Sequence, residues 1–300
     1  MNTLSSQKLQ LSPTQWRILN MILVISMASL FYKYLEFNSL KHTSALFIGI
    51  PTFMGIVLAL TPRVKHVTRN ILIGTALGLV SSLVVLKEGS FCVPMTAPLF
   101  LGVAAIIGLS YERAQKNRAG KIQLLLVILA LGMLSLEGVV KPLTLPRAVN
   151  VSAEQIINAS VEDIEAGLAS MNGFKNLPLV LKAGFPQPVW VKSEGLNIGD
   201  RRSVHFSGGE GEPGTAVFEI TARGTNWVRF ELIEDTSHIS HWLKWKTSEV
   251  HWQSVEKHQT RVEWKLSYDR QLDPSWYFGP MEKYAAKLAA QALINNILDS

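Results

Sequence analysis

The chain reads as two units: an α-helical transmembrane bundle of about five spans over residues 1–141, and an α+β domain over residues 142–300 whose antiparallel sheet wraps a long C-terminal helix. Three observations predict this. Five apolar runs stand before residue 141, at 16–35, 44–60, 70–86, 91–109 and 122–140, each close to the roughly 20 residues a helix needs to cross a bilayer core of about 30 Å. Charge divides at the same place, with 13 Lys/Arg against 4 Asp/Glu (net +9) up to Lys141 and 16 against 19 (net −3) from Pro142 onward. Seven of the eight tryptophans lie beyond the boundary, among segments in which apolar and polar residues alternate.

The first run is flanked by Trp16 and Arg17 on one side and by Tyr32, Lys33 and Tyr34 on the other, a pattern of interfacial anchors. Its polar leader is long and no small-x-small cleavage pattern follows, so it reads as a retained helix rather than a signal peptide. The third run is the shortest and carries several small residues. A soluble bundle of buried helices is the alternative, and it is opposed by five runs with so few charges. The leader and the second and fourth connections carry nine basic residues (Lys8, Arg17, Arg63, Lys65, Arg69, Arg113, Lys116, Arg118, Lys121), against Lys33, Lys41, Lys87 and Lys141 on the other face. Basic residues favour the cytoplasm, which predicts a cytoplasmic N-terminus in a plasma or inner membrane and an extracytoplasmic C-terminal domain; one span more or fewer reverses the assignment.

A formal net charge of +6 would ordinarily suggest nucleic acid. Here the excess lies among the hydrophobic segments, and no nucleic-acid partner is expected. Cys92 is the only cysteine, so no intramolecular disulfide forms. Glu137, near the end of the fifth run, reads as an interfacial carboxylate rather than part of an ion path. Glu88 and Cys92 read as turn and packing elements.

Lys141-Pro142-Leu143-Thr144-Leu145-Pro146 is a short, stiff linker. The clearest strand beyond it is 260–268, with Thr260, Val262, Trp264, Leu266 and Tyr268 on one face and Arg261, Glu263, Lys265 and Ser267 on the other. Strands are also expected at 188–194, 201–206, 215–223, 227–234 and 242–254, with a hairpin turn at Gly224-Thr225-Asn226. Ser152 is placed as the cap of a helix over 153–169, and Pro280 at the start of a helix running to Leu298. Ala285, Ala289, Ala292 and Asn296 form a small-residue stripe on that last helix, which lets it lie close to a sheet.

Gly184-Phe185-Pro186-Gln187-Pro188, the stretch Gly199 to Gly209, Asp273-Pro274-Ser275-Trp276-Tyr277-Phe278-Gly279-Pro280 and, among the spans, Glu88-Gly89 with Cys92, Met95 and Pro98 resemble the membrane-anchored branch of the START-like superfamily (SRPBCC, polyketide cyclase/dehydrase and lipid transport proteins). The resemblance implies a helix-grip fold holding an apolar ligand between sheet and final helix, and it fixes no reaction. The candidate ligand-binding residues are Arg202, Phe206, Phe218, Trp245, Trp264, Tyr268 and Tyr277. Arg202 shares a strand face with Val204 and Phe206, where a charge must be paired or meet a ligand. Glu219 is out of phase with Phe218 and Ile220 and reads as a surface ion pair.

Other motifs weigh little. His238-Ile239-Ser240-His241 lacks further ligands at metal spacing, so no metal is expected. The glycine-rich stretch 208–214 lacks the Lys-Ser/Thr ending of a phosphate loop and reads as a hairpin loop. The C-terminal half has no Gly-x-Ser-x-Gly elbow and no cysteine. The function expected is a tethered domain that binds a lipid or isoprenoid-like molecule, without a cofactor and with membrane lipids as its surroundings. The alternatives are a cyclase, dehydratase or hydrolase acting on such a ligand through Tyr268, Glu219 or a pocket histidine, and an interaction module with a filled pocket.

Overall fold

The computed structural model describes residues 27, 30–32, 34–35, 37–40, 42–59, 66–85, 92–175, 177–182, 186–207 and 212–298. A π-helical turn, Ala45–Gly49, leads into α1 (Ile50–Ala59), followed by α2 (Val67–Val85), α3 (Cys92–Ala114) and α4 (Arg118–Leu134). Among the described residues one helical stretch, Val93–Ala114, is long and apolar enough to cross a membrane, while Ala45–Met54 and Val67–Val80 are apolar but shorter. The expected five-span bundle is therefore matched by one span on this measure. Most of the first run lies outside the described residues, as do Lys8, Arg17, Arg63, Lys65, Lys87 and Glu88. The fifth run ends early: α4 stops at Leu134 and a turn follows, in which Gly138 has φ +83. Only glycine suits that turn, because a Cβ on Gly138 would run into the Asp273 carboxylate.

Beyond a 3₁₀ turn at Lys141–Leu143 come β1 (Ala148–Ile157), α5 (Val161–Ser170), α6 (Leu179–Lys182), β2 (Pro188–Ser193), β3 (Arg201–Phe206), β4 (Gly214–Gly224), β5 (Trp227–Asp235), β6 (Leu243–Glu256), β7 (Gln259–Arg270) and α7 (Ser275–Asn295). The strands form one antiparallel sheet in the order β1-β7-β6-β5-β4-β3-β2. Register shifts interrupt the β2–β3, β4–β5 and β6–β7 pairs; such bulges bend a sheet and raise its twist. The curled sheet closes on α7, which packs against β1 and β7, and this is the helix-grip arrangement.

Two expectations are corrected here. The helix over 153–169 is instead β1 followed by α5. Residues 148–157 pair with β7 from Ala148↔Asp269 to Ile157↔Thr260, so ladder hydrogen bonds take the backbone groups that a helix would have used. The cap is Ser160, not Ser152: its hydroxyl accepts from the Asp163 backbone N–H and the Asp163 carboxylate accepts from Ser160, a full capping box. The last helix begins at Ser275, five residues before Pro280, with Pro274 at its N-cap.

The grip domain is not merely suspended from a linker. A shared apolar core joins Phe47, Leu99, Val103 and Leu131 of the helical half to Trp242, Tyr268, Leu272 and Phe278, and the Phe47 and Phe278 rings stand 4.8 Å apart. Glu137 lies inside this junction rather than at a water interface. It is 8% exposed, accepts from the Ser275 N–H at 3.1 Å, and has an Arg270 guanidinium nitrogen 3.9 Å away. Asp273, fully buried, pairs with Arg147 at 2.6 Å and with Arg270, and its backbone N–H donates to the His42 carbonyl at 2.9 Å.

Candidate functional site

The inner face of the sheet is built by alternation. Arg202, Val204 and Phe206 on β3, Phe218 on β4, Phe230 on β5, Leu243 and Trp245 on β6, and Trp264 and Leu266 on β7 face α7, whose Ala285, Ala286, Ala289, Ala292 and Leu293 form the opposite wall. Because four of those five helix residues are alanines, the two walls do not meet across the whole grip. A cavity of about 150 Å³ lies between them, rimmed by Phe174, Leu177, Leu181 and Pro186. Only Arg202, Thr247 and Ser248 among its lining residues carry polar side chains, and Arg202 alone is ionisable.

Arg202 is 5% exposed. Its Nε donates to the Ser193 hydroxyl at 3.0 Å and one terminal nitrogen donates to the Leu168 carbonyl. Leu168 lies in the last turn of α5, where a cation is favoured. The guanidinium sits over the Phe230 ring, 4.3 Å from its centroid. No carboxylate pairs with it among the described residues. Burial pulls its pKa down to about 10, so it stays positive at neutral pH. Trp264 is pinned by a 2.8 Å hydrogen bond from its indole N–H to the Ser248 hydroxyl.

Five of the seven residues chosen from sequence, Arg202, Phe206, Phe218, Trp245 and Trp264, thus line one cavity. Tyr268 sits just beyond it, fully buried, with its ring edge-on to Trp245 at 5.7 Å. Tyr277 points the other way, donating to the Met95 carbonyl of α3 at 2.7 Å, and belongs to the junction. Glu219 pairs with Arg201 at 3.3 Å on the outer face. His238 and His241 lie in a 3₁₀ turn against Trp242 and His42, and the described residues contain no cluster of metal-ligating side chains. The rim residues Phe174, Leu177 and Leu181 escape sequence reading, since they lie in a stretch without periodicity. Ala286 and Leu293 are within reach of the alanine stripe, each one position after a member of it, Ala285 and Ala292.

Fold and cavity together define a helix-grip domain with an apolar pocket. No family model matches the chain, and no curated protein matches it. Solved structures similar to about half of the chain include the Zhui aromatase/cyclase from Streptomyces sp. R1128, at 13% identity and a TM-score of 0.36, covering 51% of this chain and 92% of that one. A norcoclaurine synthase from Thalictrum flavum matches at 13% identity and 0.35, covering 51% and 86%, and a START superfamily protein from Mycobacterium smegmatis at 14% and 0.33, covering 50% and 94%.

Proposed function

We propose that this protein holds a hydrophobic molecule, a lipid or isoprenoid-like compound, between its sheet and α7, and that its helical half tethers this domain to the outer side of a plasma or inner membrane. The observation that carries the reading is the nearly all-apolar cavity behind the alanine wall. Burying a ligand there gains roughly 25 cal/mol per Å² of apolar surface. The volume bounds the ligand: a cavity near 150 Å³ takes one aromatic ring or a comparable length of chain.

Carriage is favoured over the cyclase, dehydratase or hydrolase alternative because the described residues that line the cavity include no carboxylate, histidine or tyrosine, so acid–base chemistry would have to work through Tyr268 and Glu282, which lie beyond the lined space. An interaction module with a filled grip is disfavoured by the open space. The tether is supported by an apolar outer face on the helical half, where Leu77, Val80, Ile122, Leu125, Leu126, Leu129 and Met133 are all more than half exposed. The five on α4, spaced i, i+3, i+4, i+7 and i+11, share one helix face, and soluble surfaces seldom expose such a stripe. The positive bias of the cytoplasmic connections sets the proposed orientation.

The full chain, purified from the membrane fraction of cells carrying a reporter after its last residue, tests both parts. The reporter should read extracytoplasmic, and organic extraction followed by mass spectrometry should return an apolar compound at near-stoichiometric yield. Ala289→Phe, which fills the cavity, should cut that yield at least tenfold. Equal yields from the two proteins would place the compound outside the grip, and a cytoplasmic reporter would overturn the orientation.

A further inference from the structure

Beyond the lined cavity, both of its walls continue by one inward position, and both positions carry a polar side chain. On β7 the inward series Trp264, Leu266 is followed by Tyr268, two residues on. On α7 the series Ala289, Ala286, Ala285 is followed, one turn toward the N-terminus, by Glu282. Tyr268 is fully buried and Glu282 is 7% exposed. By strict hydrogen-bond geometry the Tyr268 hydroxyl and both Glu282 carboxyl oxygens are unmet among the described residues, although the Leu272 backbone N–H lies close enough to Glu282 to favour its ionised form. Each such group costs about 1–3 kcal/mol when left unmet, and Phe or Met would fill the same space without that cost.

We propose that Tyr268 and Glu282 form the deep end of the ligand site and together hold a neutral oxygen, a carbonyl or hydroxyl, at the tip of an otherwise apolar ligand. The inference rests on the reading of the cavity as a ligand site and adds the chemistry of the ligand's buried end. Two features favour a neutral oxygen acceptor over a carboxylate. Burial raises the Glu282 pKa to about 8, the nearby Arg270 opposing only in part, so at neutral pH the group carries a proton it can donate. The phenol is likewise held protonated by burial and by the neighbouring Glu282. The site therefore offers two donors, and the charge of Arg270 is already balanced by Asp273 at its Nη1, with Glu137 3.9 Å from an Nη2 that makes no hydrogen bond of its own among the described residues. A protonated carboxyl beside a tyrosine is an established way to hold a carbonyl oxygen in an apolar pocket.

The test uses the full chain in lipid nanodiscs with acetophenone and ethylbenzene, which match in shape and differ in the oxygen. After correction for partition into protein-free discs, acetophenone should bind about five- to tenfold more tightly, with its carbonyl stretch moved to lower wavenumber. Tyr268→Phe and Glu282→Met should each bring that preference toward unity, whereas Glu282→Gln, which keeps a donor, should retain most of it. Equal binding of the two probes with an unshifted stretch would overturn the inference, leaving water as the partner of these groups and the apolar cavity intact. Binding of neither probe would overturn the cavity reading and this inference with it. Should a variant fail to fold, the native ratio and the carbonyl stretch still decide.

Discussion

Arg270→Met should destabilise the protein by about 3–5 kcal/mol, because it leaves the Asp273 carboxylate and Glu137 buried without their inner cation. Arg270 is 2% exposed and Asp273 is fully buried, so solvent cannot take over the lost pairing. Arg147 pairs with the same carboxylate, but its side chain is 31% exposed. Arg147→Met should therefore cost about 1 kcal/mol, in the range of partly solvated pairs. Denaturant unfolding followed by tryptophan fluorescence compares the two. In the first variant, protease cleavage between Val140 and Arg147 should also rise, because the pairing joins the helical half to the grip domain. Equal stability of the two variants would show that the junction does not depend on this buried network.

The second large effect is on pH dependence. Glu282 holds its proton to about pH 8 in the folded chain, mainly through burial, whereas the unfolded chain releases it near the ordinary carboxylate value of 4.5. Between those limits the native state binds the extra proton, so this group lowers stability as pH rises, with a slope approaching about 1.4 kcal/mol per unit. Its contribution is fully present below pH 4.5 and lost through pH 8. The groups that face it are Tyr268 and Arg270 from β7, Asp273 from the following loop, and Arg147 from the approach to β1. Glu282→Gln should match the native protein at pH 4.5 and exceed it by roughly 3–5 kcal/mol at pH 9. Parallel stability curves across that range would mean that Glu282 ionises freely in the folded state.

Much of the sheet is visible in the sequence because its inner strands are half-buried and alternate. The expected 201–206 strand is reproduced to the residue, and the others within a few positions. β1 is hidden because only Ala153 of its ten residues is buried, so its place depends on pairing with β7 rather than on its own pattern. The alanine wall is legible as a stripe of small residues. Arg202 is legible as a charge in phase with Val204 and Phe206. Glu282 is not, since a lone acid followed by Lys283 and Lys287 in a helix looks like a solvent-facing residue. Its burial comes from the docking of α7 against β7 and the helical half. The same long-range docking explains Glu137 and Tyr277, whose partners Ser275, Arg270 and Met95 are far away in the chain.

The open space between the sheet and α7 is tested most directly by a crystal structure of the full chain under xenon pressure, since dry apolar cavities of this size take up xenon. Xenon density between Phe218, Trp245, Trp264 and Ala289 is the predicted result. A well-diffracting crystal with no xenon there, its Trp245 and Trp264 side chains closed onto the alanines of α7, would contradict the account.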